Sequence, residues 1–377
     1  MITDRPSSLV RNRDMSAAWR HVDGVLCALV ATTVAVGLAM VYSATSHSSD
    51  PTAFLSKQLI FMIVGTGVMA ATAAVDYAKL RDWSRLVYAA AVVVLGLVVI
   101  PGIGASHNGI RAWFDIGSFQ IQPSELAKIA VVVSVASYLG TTVERPGVRQ
   151  LVVTLAMFGV PMGLIMFQPD LGTNLVFGAI GLTMVVIGGF PAKYLAALAL
   201  VGVLGVVGIL TSDTLDQYQK DRLTSFVDPA ASDSAVVYNI KQAQIAISSG
   251  GLTGQGYLEG EQTKGGYVPE QQTDFIFTVP GEELGFIGSA ALLMLLAGIV
   301  WRIWRIATLA RDRVGTLLCV GVLAMFVFHI FQSVGMSLGI MPVTGIPLPF
   351  VSYGGSSTIA AFAAVGLVLN VHMRRFS

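Results

Sequence analysis

The chain has 377 residues, 54% of them hydrophobic and only 12% charged, with a mean hydropathy of +0.72; soluble domains carry about 25% charged residues, so this composition excludes a soluble globular protein and points to a bilayer. A formal net charge of +1 gives no field that would gather nucleic acid. The two cysteines, Cys27 and Cys319, sit inside apolar runs and read as packing residues, not as a disulfide or a metal site.

A helix needs about 20 mostly apolar residues to cross about 30 Å of hydrocarbon. Ten stretches meet or approach that length: 24–42, 59–75, 86–100, 126–139, 151–167, 171–189, 194–210, 284–303, 316–338 and 357–371. The first lacks a small-residue cleavage site after it, so it is expected to remain as a helix and not to be removed as a signal. Ten crossings place both termini on one side. Arg5, Arg11, Arg13 and Arg20 precede the first span, Lys79, Arg81 and Arg85 follow the second, and Arg302, Arg305, Arg311 and Arg313 follow the eighth, whereas the short loops of the opposite side hold only Lys57 and Arg111. The positive-inside rule therefore makes both termini cytoplasmic. The expected architecture is an all-α integral membrane protein of about 10 transmembrane helices. It forms a single polytopic domain over 1–377, with cytoplasmic tails at 1–23 and 372–377.

The loop 211–283, between helices seven and eight, is too long for a simple connection. Its apolar content argues for folded structure: Val236, Ile240, Ala243 and Ile247 share one helical face, and the segment is expected to lie at the membrane interface until Ser248, Ser249, Gly250 and Gly251 stop it.

Several polar residues lie at the expected outer ends of spans. Glu125 and Lys128 are three apart at the start of span four, so they share a face and can pair, either as a structural ion pair or as part of a polar cavity. Gln122, Pro123 and Ser124 open that span, and Gln168, Pro169 and Asp170 open the sixth, with proline where a helix can begin; Asp170 reads first as a helix cap. Glu282 and Glu283 follow Pro280 in what is expected to be a first helical turn. Asp274, ahead of Phe275, Ile276 and Phe277, reads equally as a cap or as a base held in a crevice by a short re-entrant segment. The run MPVTGIPLPFVSYGGSS (341–357), with three prolines and three glycines and including Ser352, Gly354, Gly355 and Ser356, breaks the helical pattern beside a span. Non-helical backbone survives at membrane depth only where protein or a water-filled cavity satisfies it, so this run is expected to line a cavity. Arg111, Arg222, Lys241 and Lys264 are outer-face cations, with Lys128 at membrane depth, and cations of this kind suit a lipid-linked phosphate or diphosphate. No zinc spacing, Walker loop or nucleophile elbow occurs.

With those residues in view, the chain resembles the SEDS family (shape, elongation, division and sporulation), and within it the rod-shape branch, RodA. The resemblance is carried by FQIQPSELAK (119–128), QPDLGT (168–173), VPEQQTDFIFTVPGEELG (268–285) and the 341–357 run, of which TGIPLPF (344–350) is similar to the rod-shape branch. The chain departs from the family pattern where Ala112 separates Arg111 from Trp113, and where Gln271 and Gln272 stand in place of an Arg and a His. The resemblance implies a peptidoglycan glycosyltransferase of the bacterial plasma membrane that polymerises lipid II through β-1,4 links on the outer face, working beside a class B penicillin-binding protein, a single-span transpeptidase. It also makes Asp274 the essential acid. Asp274 is then expected to serve as general base, with Lys128, Arg111 or Arg222 holding the diphosphate, alone or with a divalent metal (Mg or Mn), while Glu125, Asp170, Glu283, Ser352, Gly354, Gly355 and Ser356 bind substrate or line the cavity. No other cofactor is expected, and membrane lipids are the remaining partners. A flippase for the same precursor and a non-catalytic scaffold for the transpeptidase are the competing expectations.

Overall fold

A computed structural model describes residues 21–48, 50–107, 110–117, 119–141, 146–211 and 235–375. Arg222 lies outside the described residues, as does most of the first third of the long outer loop.

Ten helices answer to the ten expected spans. They are α1 (Gly24–Ala44), α2 (Pro51–Ala74), α4 (Ser84–Val99), α5 (Pro123–Gly140), α6 (Val148–Met166), α7 (Leu171–Ile187), α8 (Ala192–Thr211), α12 (Gly285–Thr308), α13 (Arg313–Leu338) and α14 (Gly355–Met373). Six of these, α1, α2, α6, α12, α13 and α14, are long and apolar enough to cross a membrane by themselves, and α4 and α7 are shorter apolar helices. Aspartate sets several of the starts. Asp23, Asp50, Asp76, Asp170 and Asp312 each accept a backbone N–H in the first turn that follows, where the exposed amides and the helix dipole favour a carboxylate. Pro123 begins α5 as expected. Pro169 does not begin α7: it precedes the cap, and Asp170 takes the N-cap position.

Short helices fill the connections: α3 (Tyr77–Asp82) on one side, and α9 (Ala235–Ser249), α10 (Glu261–Gly265) and α11 (Thr278–Glu283) within the long outer loop. One element departs from the purely helical expectation. The connection before α5 folds as a three-stranded antiparallel sheet, β1 (Ala105–His107), β2 (Ile110–Ile116) and β3 (Phe119–Ile121), with Ser106 opposite Arg111 and Asp115 opposite Gln120.

The core centres on α13 and α14, which are the most buried of the six long spans. In lipid the helices gain nothing from hiding apolar surface from water, so close approach through small residues matters more. Ala360, Ala361, Ala363, Ala364 and Gly366 give α14 that character, and a side chain at Gly366 would run into Met69 and Thr72 of α2. At the basic end of the bundle the buried Asp23 carboxylate meets Arg302 Nε at 2.7 Å, the Tyr77 hydroxyl donates to Asp312 at 2.9 Å, and Arg313 reaches the Gly188 carbonyl. These contacts place the start of α1 beside the end of α12, and the start of α13 beside the start of α3 and the end of α7.

At the opposite end α9 turns Ala243 and Ala246 inward, with Val236, Ile240 and Ile247 packed against the core, so the expected face is the buried one. The glycine-rich chain after it doubles back. The Phe286 and Ile287 amides donate to the carbonyls of Gly251 and Leu252, while those of Gln255 and Gly256 donate to Glu282 and Glu283. Gly285 sits at φ +64, where a side chain is strained, and a Cβ there would lie 2.3 Å from the Gly254 amide nitrogen.

Candidate active site

The run after α13 cannot form a regular ladder, because prolines at 342, 347 and 349 donate no N–H. Its carbonyls are held instead by buried side chains from α13 and α2. Gln332 on α13 donates to the Pro342 carbonyl at 2.7 Å, and His329, one turn back, has Nδ1 3.3 Å from that of Pro347. Gln58 on α2 donates to the Ser352 carbonyl and accepts from the Gly354 amide, both at 3.2 Å. This is the satisfied non-helical backbone that membrane depth requires.

The other motifs close around this run. The Tyr353 amide donates to the Gln272 carbonyl at 2.8 Å. Gly172, in the first turn of α7, packs so closely on the Thr344 carbonyl that a Cβ there would overlap it. Ser356 accepts from the Gln122 amide at 2.8 Å and donates to the Gln120 carbonyl at 3.3 Å, and Gln122 donates in turn to Asp170 at 3.1 Å.

Asp274 lies in the turn between Glu270 and Phe277. It occupies no N-cap position, since α11 starts at Thr278 with Phe277 as its N-cap. The three apolar residues after it are buried, Phe275 at 1%, Ile276 at 0% and Phe277 at 3% exposure, and they anchor the turn. Asp274 itself is half-buried, and its Oδ2 borders Gly345, which is exposed and holds φ +74. A Cβ on Gly345 would stand 3.4 Å from that oxygen. The carboxylate is therefore at the outer end of the bundle, at the edge of the proline run and open on one side.

Glu125 and Lys128 form an ion pair at 2.7 Å, with Lys128 1% exposed, and the Lys128 ammonium also lies 3.1 Å from His329 Nε2. Glu125, His329, Pro347, Ser352, Ser357 and Thr358 border one narrow pocket with room for about a single water. Asp170 is the cap of α7, bonded to the Thr173 amide at 2.9 Å and its hydroxyl at 2.7 Å. Arg111 is on β2, half-buried, with an Nε that has no hydrogen-bond partner. Gly355 starts α14 against the ring of Phe61, and the Ser352 hydroxyl accepts from the Leu348 amide at 2.9 Å.

Glu282 and Glu283 differ from the expected first helical turn: they end α11, and α12 begins after them at Gly285. The buried Glu282 carboxylate reaches across to the start of α10, where it accepts from the Gln262 amide at 2.6 Å, the Thr263 amide at 3.0 Å and the Thr263 hydroxyl at 2.7 Å. Gln271 donates to both Thr263 and Thr278 hydroxyls at 3.0 Å, so a polar chain brackets Asp274 on both sides. Glu283 instead accepts from Ser43 of α1. Burial pushes its carboxyl above the usual range, opposed by the Ser43 hydrogen bond.

Sequence reasoning did not single out His329, Gln332, Gln58 or Ser43. For His329 and Gln332 the available signal was a polar side chain inside an apolar span, which is rare unless it has a partner there; Gln58 and Ser43 fall just outside the expected spans. Among the described residues no group of three or more His, Cys, Asp or Glu side chains is placed to hold a metal ion. An apolar groove of about 680 Å³ opens between α12 and α13, lined among others by Leu293, Trp301, Trp304, Val327, Phe331 and Ile340.

Residues 24–376 match the family described as "Cell cycle protein", which groups FtsW, RodA and SpoVE. Stage V sporulation protein E of Bacillus subtilis is 38% identical over 360 residues, covering 93% of this chain and 96% of that protein. The peptidoglycan glycosyltransferase MrdB of Escherichia coli K12 is 32% identical over 355 residues, covering 94% of each. Among solved structures, a chain from a peptidoglycan synthase complex described as coordinating polymerization and crosslinking superimposes with a TM-score of 0.80 at 30% identity, covering 94% of this chain and 99% of that one.

Proposed function

This chain belongs to the FtsW/RodA/SpoVE family of multi-pass bacterial inner-membrane proteins, and from that premise we propose that it is a peptidoglycan glycosyltransferase that polymerises lipid II, with Asp274 as its general base. The observation that carries the reading is the half-buried Asp274 carboxylate at the outer rim, bordering Gly345 where four motifs converge. Asp274 takes the proton from the 4-hydroxyl of the acceptor N-acetylglucosamine as that oxygen bonds to the anomeric carbon of the donor. The bond from that carbon to undecaprenyl diphosphate breaks, and the centre inverts. A diphosphate leaves readily, so cations contribute more than a general acid would. Lys128 is already engaged by Glu125 and His329, so among the described candidates the diphosphate role falls to Arg111 on β2. Among the described residues the acidic and imidazole groups form no metal cage, and in this reading an Mg or Mn ion, where one takes part, is carried by the substrate's diphosphate. The apolar groove between α12 and α13 offers a slot of the kind a polyprenyl chain requires.

The finer assignment, to rod elongation beside a class B penicillin-binding protein, is supported by the TGIPLPF run (344–350) and by the likeness to a synthase-complex chain. A sporulation protein and the glycosyltransferase MrdB match over nearly the same length, so the branch rests on that run. Asp274→Asn in the purified full-length chain is expected to abolish polymer formation from lipid II while leaving the melting temperature nearly unchanged. Wild-type rate and polymer length in that variant would refute the assignment, and lipid II flipping retained without polymer would make transport a separate activity.

A further inference from the structure

We propose that His329 is a positioning residue for this reaction, held as the Nδ1–H tautomer between the Lys128 ammonium and the Pro347 carbonyl so that it ties the buried Glu125–Lys128 pair to the segment flanking Asp274. The inference rests on the role given to Asp274 above. His329 is 6% exposed on α13, with Nε2 3.1 Å from Lys128 Nζ and Nδ1 3.3 Å from the Pro347 oxygen. An ammonium has three donors and no acceptor, and a carbonyl oxygen only accepts. Nε2 must therefore accept and Nδ1 must carry the proton. A doubly protonated ring would point a donor at the ammonium, and the Nε2–H tautomer would leave the carbonyl facing a lone pair.

This fixed ring matters because of what it holds. Prolines at 342, 347 and 349 deprive the run of donors, so its place depends on side chains reaching its carbonyls. Gln332 and His329, on one face of α13, take the carbonyls of Pro342 and Pro347, and Gly345, the residue bordering Asp274, lies between those two points. Lys128 is in turn fixed by Glu125 in the first turn of α5. A chain of side chains thus runs from the start of α5, through His329, to the backbone beside the proposed base.

The test uses the purified full-length chain carrying isotope-labelled histidine in lipid nanodiscs, where nitrogen NMR separates the two neutral tautomers and loss of signal in His329→Gln identifies the residue. Wild type is expected to show Nδ1–H. With lipid II as substrate, His329→Leu is expected to lose at least about twentyfold in kcat with KM within about twofold, and His329→Asn, whose amide nitrogen takes the place of Nδ1, to recover to within about fivefold of wild type, since small displacements of reacting groups weigh on the chemical step. An Nε2–H signal in wild type overturns the hydrogen-bond chain. Wild-type kcat in His329→Leu, or His329→Asn no better than His329→Leu, overturns the positioning role. A wild-type chain that makes no polymer defeats the reading of the reaction instead, and the tautomer measurement then decides the chain by itself.

Discussion

Glu282 offers the sharpest test of how the outer loop holds Asp274 in place. Its carboxylate, 0% exposed, takes three hydrogen bonds from Gln262 and Thr263, and through Thr263 and Gln271 it is linked to residues on both sides of Asp274. Hydrogen bonds to a charged acceptor contribute about 1.5–3 kcal/mol each, so deleting all three with Glu282→Ala removes roughly 4–9 kcal/mol if the donors stay buried. The loop has a cheaper route: it opens locally, water satisfies the freed amides, and the loss is limited to the free energy of that opening. Glu282→Gln keeps one acceptor oxygen, which retains the two Thr263 bonds and gives up the Gln262 amide, for a loss of about 2–4 kcal/mol. Hydrogen–deuterium exchange over 255–282, followed with the melting temperature, is expected to rank protection as wild type, then Gln, then Ala, with polymerisation falling in the same order. Glu282→Ala with protection of 261–264 within about 1 kcal/mol of wild type would refute the idea that this carboxylate anchors the loop.

Two further outcomes follow from the same geometry. Gly345→Ala forces a left-handed backbone on a residue with a Cβ, at about 1–2 kcal/mol, and sets a methyl beside Asp274, so kcat on lipid II is expected to fall at least about tenfold with only a small drop in melting temperature; kcat within about twofold of wild type would contradict the placement. Glu283 lies outside the spanning helices, and burial raises its carboxyl above the ordinary 4.5. Between those two values the folded chain binds more protons than the unfolded one, so ionised Glu283 lowers stability at neutral pH and the fold gains as pH falls through the raised value. Glu283→Gln is therefore expected to melt higher than wild type near neutral pH, with the difference shrinking below the ordinary value, and a difference independent of pH would rule this out.

The spans and their order were legible in the amino-acid sequence, because hydrocarbon demands long apolar helices. Helix starts were legible where a single residue type carries the physics, as Pro123 does for α5 and Asp170 for α7. The inward face of α9 could be read from its spacing alone. The three-stranded sheet was not, since strands this short carry too little pattern to stand out from a loop. Nor was the ending of α11 at Glu283: two carboxylates after a proline suit a helix start by local rules, and only the partner across the loop, the start of α10, explains why Glu282 ends one helix while serving another. Gln271 shows the same limit, a departure from the family pattern whose bridging role between Thr263 and Thr278 appears only in three dimensions. Apolar period acts along the chain, so the sequence by itself determined the helical membrane architecture. Hydrogen bonds between positions as distant as Gln58 and Ser352, or Lys128 and His329, have no trace in local pattern, and only the tertiary structure decided that they fix the proline run beside Asp274.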